Sequence, residues 1–329
     1  MKLVLAPIAD YTDPPFRLMC FANGADAAFT EMVSAAALRH SHRATRRLLE
    51  KDAREGRVSC QIFGSDELDV AVAAKEIESL GRRFEAIDLN AGCPMARITR
   101  TGAGAALLSD PGRIYRLLKA IGENTSLPVT LKTRIGPRPG SISVFEIVDA
   151  AERAGAAAVA VHARYASQMH GGVVHLDVLA EAVGKSKLPI TGNGSVVDAK
   201  SAAEMAATGV SSIMIARAAM SNPCIFAEIG AAFEGRPPPP RPGASELFSR
   251  HLKFILEYRD MLSAKFPSDR IPDADSFAVM KMRTHLFRYF NGMPGAAAMR
   301  GRLPYMRSIR EMIDGVKSID SKFNAEFMV

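Results

Sequence analysis

The fold of this chain is decided by the stretch AIDLNAGCPMARITRTGAGAALL, residues 86–108. A short apolar run leads into Asn90, and Cys93 follows, held between Gly92 and Pro94. A basic loop comes next, and glycines then open a helix. The stretch therefore predicts a strand, a polar turn at its carboxyl end and a return helix, which together form the repeating unit of parallel α/β folds.

The same unit recurs along the first part of the chain. Short β-rich runs cover residues 2–7, 27–32, 58–63, 86–90, 128–133, 157–163, 188–193 and 211–216. Helical segments lie between them at 66–80, 110–123, 143–154 and 198–208. Runs that are apolar on both faces are typical of parallel strands covered by helices. Eight units in about 230 residues favour an α/β fold of the (β/α)8 TIM-barrel type, with an open doubly wound sheet as the alternative.

The chain changes character after the barrel pattern ends. The stretch EGRPPPPRPGA predicts an extended linker, because consecutive prolines cannot continue a helix. Beyond it, helical patterns at 245–263, 276–291, 294–299 and 303–317 occur without strands. We therefore expect a catalytic barrel over residues 1–235, a linker over 236–244 and a small C-terminal helical bundle over 245–329.

Composition narrows the class of protein. The chain has 329 residues, 48% of them hydrophobic, and its apolar runs are shorter than the roughly 20 residues that span a bilayer. The N-terminal run breaks at Pro7 without a signal-peptide pattern, so we expect a cytoplasmic protein with no membrane partner. Cys20, Cys60, Cys93 and Cys224 follow neither a disulfide framework nor zinc spacing, and no metal site is expected. The net charge of +7 suits an RNA partner, but proteins without such a partner carry the same charge. We expect a monomer.

Polar side chains follow several predicted strands, at the carboxyl ends where barrels carry their active sites. They are Gln61, Asn90, Cys93, Lys132, Arg134, His162, Arg164, Asn193 and Arg217, with Pro7, Ile8, Gly194 and Ala216 beside them. One such residue alone is more often solvated than functional, but the set predicts a single pocket. The loops GNGSV (192–196) and IARAAM (215–220) favour a phosphate site, with ordinary turns as the alternative.

In order and spacing, several motifs resemble those of tRNA-dihydrouridine synthases, most closely the bacterial B-type enzymes. They are LAPIADYTDPPFR (5–17), CQIFGS (60–65), DLNAGCPM (88–95), GAGAALLSDP (102–111), LKTRIG (131–136), VHARYASQMHGG (161–172), GNGS (192–195), IARAAM (215–220) and MRTHLFRYFNGMPGAAAMR (282–300). The resemblance covers nearly the whole chain, and LNAGCP combined with the tail motif is highly specific.

The resemblance implies an FMN enzyme that uses NADPH to reduce uridine in RNA, foremost tRNA, to 5,6-dihydrouridine. Cys93 matches the catalytic acid, and Asn90, Arg134 and Arg164 match substrate-pocket positions. The flavin-binding positions match Pro7, Ile8, Gln61, Lys132, His162, Asn193, Gly194, Ser195, Ala216 and Arg217. The chain departs from the family pattern at Ile8, Asp10, Tyr11, Ala163, Ser195, Ala216, Ala218 and His170.

The cysteine fits the chemistry that this resemblance implies. Reduction of the uracil double bond needs hydride at C6, from reduced flavin, and a proton at C5 from the opposite face. An ordinary thiol, with a pKa of about 8.5, is protonated at neutral pH yet can give up its proton. Lys132 is expected to stabilise charge near the flavin ring, and His162 to contact the phosphate or the ring. Cys20, Cys60 and Cys224 are expected to be small buried hydrophobes.

The tail offers a surface for RNA. From residue 281 to residue 310 it carries cations without any acidic residue, and these are Lys281, Arg283, Arg288, Arg300, Arg302, Arg307 and Arg310. We expect Lys281, Arg283 and Arg288 to bind RNA phosphates. A second basic cluster at 39–57 is interrupted by acids, so a solvated helix face is as good an interpretation there.

Two other functions stay open at this point. One is an FMN barrel oxidoreductase that acts on a free pyrimidine and has no need of the basic tail. The other is an RNA-binding protein without catalytic activity. Retention of Cys93, Lys132 and His162 argues against the second.

Overall fold

The computed structural model describes residues 1–40, 42–81 and 83–321. The strands in these residues are β1 (Lys2–Leu5), β2 (Ala27–Phe29), β3 (Val33–Ser34), β4 (Arg57–Phe63), β5 (Ile87–Ala91), β6 (Val129–Gly136), β7 (Ala158–Tyr165), β8 (Ile190–Asn193) and β9 (Ser212–Ile215). Each of the eight predicted runs overlaps one of them. Only β3 was not predicted, because two residues are too few to show a periodic pattern.

The strands close into a barrel, which confirms the predicted fold. They pair in the order β2-β1-β9-β8-β7-β6-β5-β4-β3, and β2 also pairs with β4. This last contact closes a ring of eight strands. The short β3 pairs with β4 on the same edge as β2, farther toward the carboxyl end. All the strand pairs are parallel, so the carboxyl ends of the strands meet at one face of the barrel.

Helices return the chain between the strands. They are α1 (Pro14–Phe21), α2 (Ala35–Arg39), α3 (Arg43–Arg46), α4 (Glu67–Ser79), α5 (Ala96–Thr99), α6 (Pro111–Gly122), α7 (Val144–Ala154), α8 (Leu176–Lys185), α9 (Ala199–Ala206), α10 (Arg217–Ser221) and α11 (Ile225–Phe233). Local sequence sets their ends. Asp110 caps α6 by accepting from the Arg113 N–H, with Pro111 in the first turn, and α7 stops at Gly155, whose φ is +82°.

The barrel interior has an apolar side and a polar side. Small or flexible side chains from β1, β7 and β9 form the apolar side, with Val4, Ala6, Ala160 and Met214 in mutual contact. On the opposite side, β4, β5 and β6 bring hydrogen-bonding groups inward. The much larger hydrophobic core lies between the strands and the surrounding helices.

The C-terminal helices pack against the start of the barrel. They are α12 (Ala244–Lys265), α13 (Ala274–Tyr289), α14 (Ala296–Arg302) and α15 (Ile309–Lys317). The fully buried ring of Phe16, in α1, lies 5.9 Å from the ring of His251 and 4.9 Å from that of His285. His251 Nδ1 is 2.9 Å from the Tyr289 hydroxyl. The tail and α1 therefore share one continuous apolar contact.

Within the described ranges, no helix combines the length and the apolar character needed to cross a membrane.

Candidate active site

A cavity of about 750 Å³ opens at the carboxyl ends of the barrel strands. This volume falls within the ~300–1,000 Å³ typical of cofactor pockets. Most of the residues singled out from the sequence line it, and these are Pro7, Ile8, Asn90, Cys93, Lys132, Arg134, His162, Arg164, Asn193, Gly194, Ser195, Ala216, Arg217 and Arg288. The barrel topology thus brings strand-end residues from distant parts of the sequence to one place.

Three of the selected residues lie elsewhere. Gln61 is fully buried beneath the cavity, where its amide group is hydrogen-bonded within the barrel. Lys281 forms an ion pair of 3.0 Å with Asp13, at a smaller cavity between α1 and the tail. Arg283 points its Nη2 toward the Met306 carbonyl oxygen, at 3.4 Å.

Cys93 sits in a turn that its neighbours hold rigidly. The N–H groups of Gly92 and Cys93 donate to Asn90 Oδ1 at 3.1 and 3.0 Å. The Cys93 carbonyl oxygen accepts from the Ala105 N–H at 2.9 Å. Gly104 has a φ of +60°, and a Cβ there would lie 2.6 Å from the Cys93 oxygen, so glycine is required for this close approach. The sequence therefore fixes the backbone on both sides of the thiol, which is partly exposed to the cavity.

The cavity lining is strongly cationic. It includes six basic side chains, and the described lining residues include no carboxylate, the cations being Arg97, Lys132, Arg134, Arg164, Arg217 and Arg288. Burial, with a smaller contribution from nearby Arg134, lowers the pKa of Lys132 from 10.5 to about 8. Burial likewise lowers the pKa of Arg134 to about 10. The protein therefore holds positive charge here at an energetic cost, which an anionic ligand would relieve.

His162 is a neutral imidazole in this environment. Burial lowers its pKa far below the usual range, and the charges of Lys132 and Arg134 act in the same direction. Arg164 Nη1 lies 3.3 Å from His162 Nε2. Because a guanidinium can only donate, Nε2 accepts this hydrogen bond and the ring proton resides on Nδ1.

The loop after β8 forms a concave corner of the cavity. Gly194 has a φ of +140°, and a Cβ there would lie 3.1 Å from Val174 Cγ1. Ser195 follows with a φ of +52°, and its hydroxyl accepts from Arg164 Nη2 at 2.6 Å. Asn193 donates through Nδ2 to the Met214 carbonyl oxygen at 2.8 Å. Lys132 Nζ lies 3.4 Å from Asn193 Oδ1, so this corner is joined to the cation at the end of β6.

Several lining residues were not selected from the sequence. Apolar side chains supply part of the wall, namely Met32, Met95, Val196, Val197, Met214 and Met220. Arg97 was signalled by the basic loop after Cys93, and His170 by its departure from the family pattern, but neither was assigned a role. Tyr11 has a supporting role, because its hydroxyl accepts from Arg288 Nε at 2.8 Å and its ring lies 5.2 Å from that guanidinium.

Comparison with known proteins identifies the family of this chain. The family model "Dihydrouridine synthase (Dus)" matches residues 4–323. A probable tRNA-dihydrouridine synthase of Mycobacterium tuberculosis is 32% identical over 322 residues, which cover 94% of this chain and 80% of that protein. The tRNA-dihydrouridine synthase B of Pseudomonas putida is 31% identical over 323 residues, covering 98% and 92%. A probable tRNA-dihydrouridine synthase of Treponema pallidum is 37% identical over 235 residues, covering 68% and 69%. The chain belongs to the dihydrouridine synthase family.

Proposed function

We propose that this protein reduces uridine to 5,6-dihydrouridine in tRNA, with FMN bound in the strand-end cavity and NADPH as the reductant. The observation that carries the proposal is a cavity with six cations, no carboxylate among its described lining residues and one thiol in its wall. Cationic walls suit a flavin phosphate and the phosphates of RNA, while the thiol suits proton transfer. A tRNA substrate is consistent with action in the cytoplasm.

The residues present fit FMN. At the corner formed by Asn193, Gly194 and Ser195, the φ of +140° favours glycine and a Cβ would press on Val174, so the glycine leaves backbone that a ligand can approach closely. Arg164 and Arg217 border that corner and would neutralise a phosphate. Lys132 and His162 would lie against the ring system, with Pro7, Ile8 and Ala216 as apolar wall. Bound FMN would supply the hydride that uracil C6 requires.

Gln61 differs from the other residues assigned to the flavin. It is fully buried, and its side chain donates to Asp88 and accepts from Asn90. Both ends of its amide are hydrogen-bonded beneath the cavity. We therefore infer that Gln61 supports the base of the cofactor pocket and does not contact the cofactor directly.

Cys93 is the proton donor in this proposal. It would place its proton on uracil C5 while negative charge develops at C5 and O4. Arg134 supports the wall beside it by donating to the carbonyl oxygens of Gly92, at 2.8 Å, and Tyr165, at 3.1 Å. Asn90 Oδ1 accepts from the backbone of the Cys93 turn, and Asn90 Nδ2 donates toward Met32 and Gln61. Within the substrate pocket, Asn90 therefore acts mainly by shaping the turn.

RNA would be held by the tail beside the cavity mouth. We propose that residues 1–235 carry the chemistry, residues 236–244 connect, and residues 245–329 bind RNA by its backbone. Arg288 links the two functions, because it belongs to α13 and also lines the cavity. Target bases must leave their stack to reach such a cavity, at a cost of a few kcal/mol that phosphate contacts would offset.

The test uses the full chain, FMN, NADPH and an unmodified tRNA transcript. We expect a yellow protein that releases FMN on heating and forms dihydrouridine, detected by mass spectrometry of the digested RNA. Free uridine should not accelerate NADPH oxidation. NADPH oxidation driven by uridine alone would favour the free-pyrimidine alternative. A protein that binds tRNA but neither binds FMN nor forms dihydrouridine would overturn the proposal.

A further inference from the structure

A buried carboxylate, Asp88, lies one layer beneath the candidate active site. It is fully buried on β5 and does not line the cavity. Strand register places Gln61 and Thr130 directly beside it on β4 and β6. Asn90 follows two residues later on the same face of β5, because side chains alternate along a strand. Asp88 therefore sits below Asn90, which in turn borders the cavity.

Hydrogen bonds connect Asp88 to the turn of Cys93 without a gap. Asp88 Oδ1 accepts from Thr130 Oγ1 at 2.6 Å, and Oδ2 accepts from Gln61 Nε2 at 2.7 Å. Gln61 Oε1 accepts from Asn90 Nδ2 at 2.9 Å. Asn90 Oδ1 then accepts the backbone N–H groups of Gly92 and Cys93. Each polar atom of the two amides thus has a partner in one continuous chain.

Asp88 determines the donor-to-acceptor direction of this series of hydrogen bonds. An ionised carboxylate can only accept, so Gln61 must turn its NH₂ group toward Asp88 and its oxygen toward Asn90. Asn90 must then turn its own NH₂ group toward Gln61, which leaves its oxygen for the two backbone donors. With the amides reversed, the NH₂ group of Asn90 would face the N–H groups of Gly92 and Cys93, and the turn would lose its acceptor.

We propose that Asp88 is a positioning residue for proton transfer: through Gln61 and Asn90, its carboxylate fixes the turn that directs the Cys93 thiol into the cavity. The inference rests on the proposed function, because it takes Cys93 as the proton donor, and it assigns Asp88 no contact with substrate or cofactor. It also explains why an acid occupies this place. Burial raises the pKa of Asp88 to about 6, and its hydrogen bonds from Thr130 and Gln61 and the charge of Lys132 only partly oppose this rise, so the acid is held here at a cost that its two buried hydrogen bonds offset in part.

The test is a double-mutant cycle between positions 88 and 93. Asp88→Leu removes the acceptor while keeping a similar volume. We expect dihydrouridine formation in single turnover to fall by about tenfold or more, the scale of a misplaced catalytic group. In a Cys93→Ala background, which is already slow, the same change should lower the remaining rate by less than about twofold, because Asp88 acts through the thiol. Rates of Cys93 alkylation by iodoacetamide give an independent measure of how the turn presents the thiol.

Two further variants serve as controls. Asp88→Asn can still offer an oxygen to Gln61 and an NH₂ group to Thr130, so it should retain the rate within about threefold. Thr130→Val removes the other hydrogen bond to Asp88 and leaves Gln61 oriented, so it should have a similarly small effect. If Asp88→Leu does not fold, Asp88→Ala takes its place in the cycle.

The outcomes separate this inference from the proposed function. A normal rate for Asp88→Leu, or equal losses in the two backgrounds, would overturn the positioning role even if Cys93→Ala is inactive. A normal rate for Cys93→Ala would instead remove the proton donor itself. Loss of FMN binding in Asp88→Leu, with unchanged Cys93 alkylation, would also overturn the inference, because it assigns the effect to the cofactor pocket.

Discussion

The cations of the cavity and the cations of the tail differ in what surrounds them. In the cavity, Lys132, Arg134, Arg164 and Arg217 face one another, and no described carboxylate lines the same space. In the tail, the stripe that looks free of acids in sequence is partly neutralised in the structure. Lys281 pairs with Asp13, which comes from the other end of the chain. A run of cations without acidic residues in the sequence can therefore still be paired with an acidic residue from another part of the chain.

The two sets of cations therefore have different roles. Buried, uncompensated charge is costly, so a protein that keeps it gains most from an anionic ligand at that place. Lys281 already has its anion, and its side chain is only 27% exposed. Arg288 and Arg300, in contrast, contact aromatic rings and neutral oxygens and form no ion pair with a described acid. The tail cations that have no acidic partner among the described residues are thus fewer than the sequence suggests.

We expect the greatest loss when the chemistry in the cavity is changed. Cys93→Ala should lower dihydrouridine formation by about 10²-fold or more, the usual scale for loss of a general acid. Flavin reduction by NADPH should stay unchanged, because the thiol acts on the uracil. Cys224→Ser is the matched control, since Cys224 lies outside the cavity and donates to Asn23. Turnover near the wild-type rate in Cys93→Ala would reject the proton donor.

A second substitution tests whether the cavity cations bind the cofactor. Arg217→Ala should weaken FMN binding by about tenfold or more, as expected for a lost charge-assisted hydrogen bond. Fluorescence titration of the cofactor-free protein measures this affinity. Arg153→Ala is the control, because Arg153 is exposed on α7 and pairs with Asp149. Equal FMN affinity in the two variants would mean that the phosphate lies elsewhere.

A pH titration tests whether the charge of Lys132 contributes to cofactor binding. Burial places the pKa of Lys132 at about 8, so the side chain loses its proton as the pH rises through that value. An anionic cofactor favours the protonated form, so FMN affinity should be highest below pH 8 and fall by about tenfold as the pH rises past it. Lys132→Met should bind FMN more weakly at pH 7 and lose this dependence. The same pH profile in Lys132→Met would assign the titration to another group.

Much of the cavity could be predicted because barrel geometry turns sequence position into spatial proximity. A residue at the carboxyl end of any strand reaches the same face, so Cys93, His162 and Arg217 could be grouped before their distances were known. Side-chain direction could not be predicted in the same way. Gln61 lies near the carboxyl end of β4, as the other selected residues lie near the ends of their strands. Its amide nevertheless donates to Asp88 beneath the cavity.

The packing of the tail was harder to foresee. The ion pair between Asp13 and Lys281 joins residues far apart in the chain, and no local pattern indicates it. The contact of Tyr11 with Arg288 is likewise long-range, although the departure from the family pattern at Tyr11 marked the place. Helix periodicity predicted the tail helices but contains no information on which cation would meet which acid.

The smallest effect separates Arg288 from Lys281. Arg288→Ala should make the log–log dependence of tRNA affinity on salt shallower by about 0.7 to 0.9, the value for one lost phosphate contact. Lys281→Met should leave that slope unchanged, because its charge is already engaged by Asp13. It should instead destabilise the protein by about 1–3 kcal/mol, since Asp13 would lose a partner while nearly buried. tRNA binding at several salt concentrations and urea unfolding measure the two quantities. A change of slope in Lys281→Met would mean that RNA binding displaces the ion pair with Asp13. An unchanged slope in Arg288→Ala would mean that Arg288 makes no phosphate contact. Either result would show that pairing in the free protein does not decide which tail cations meet RNA.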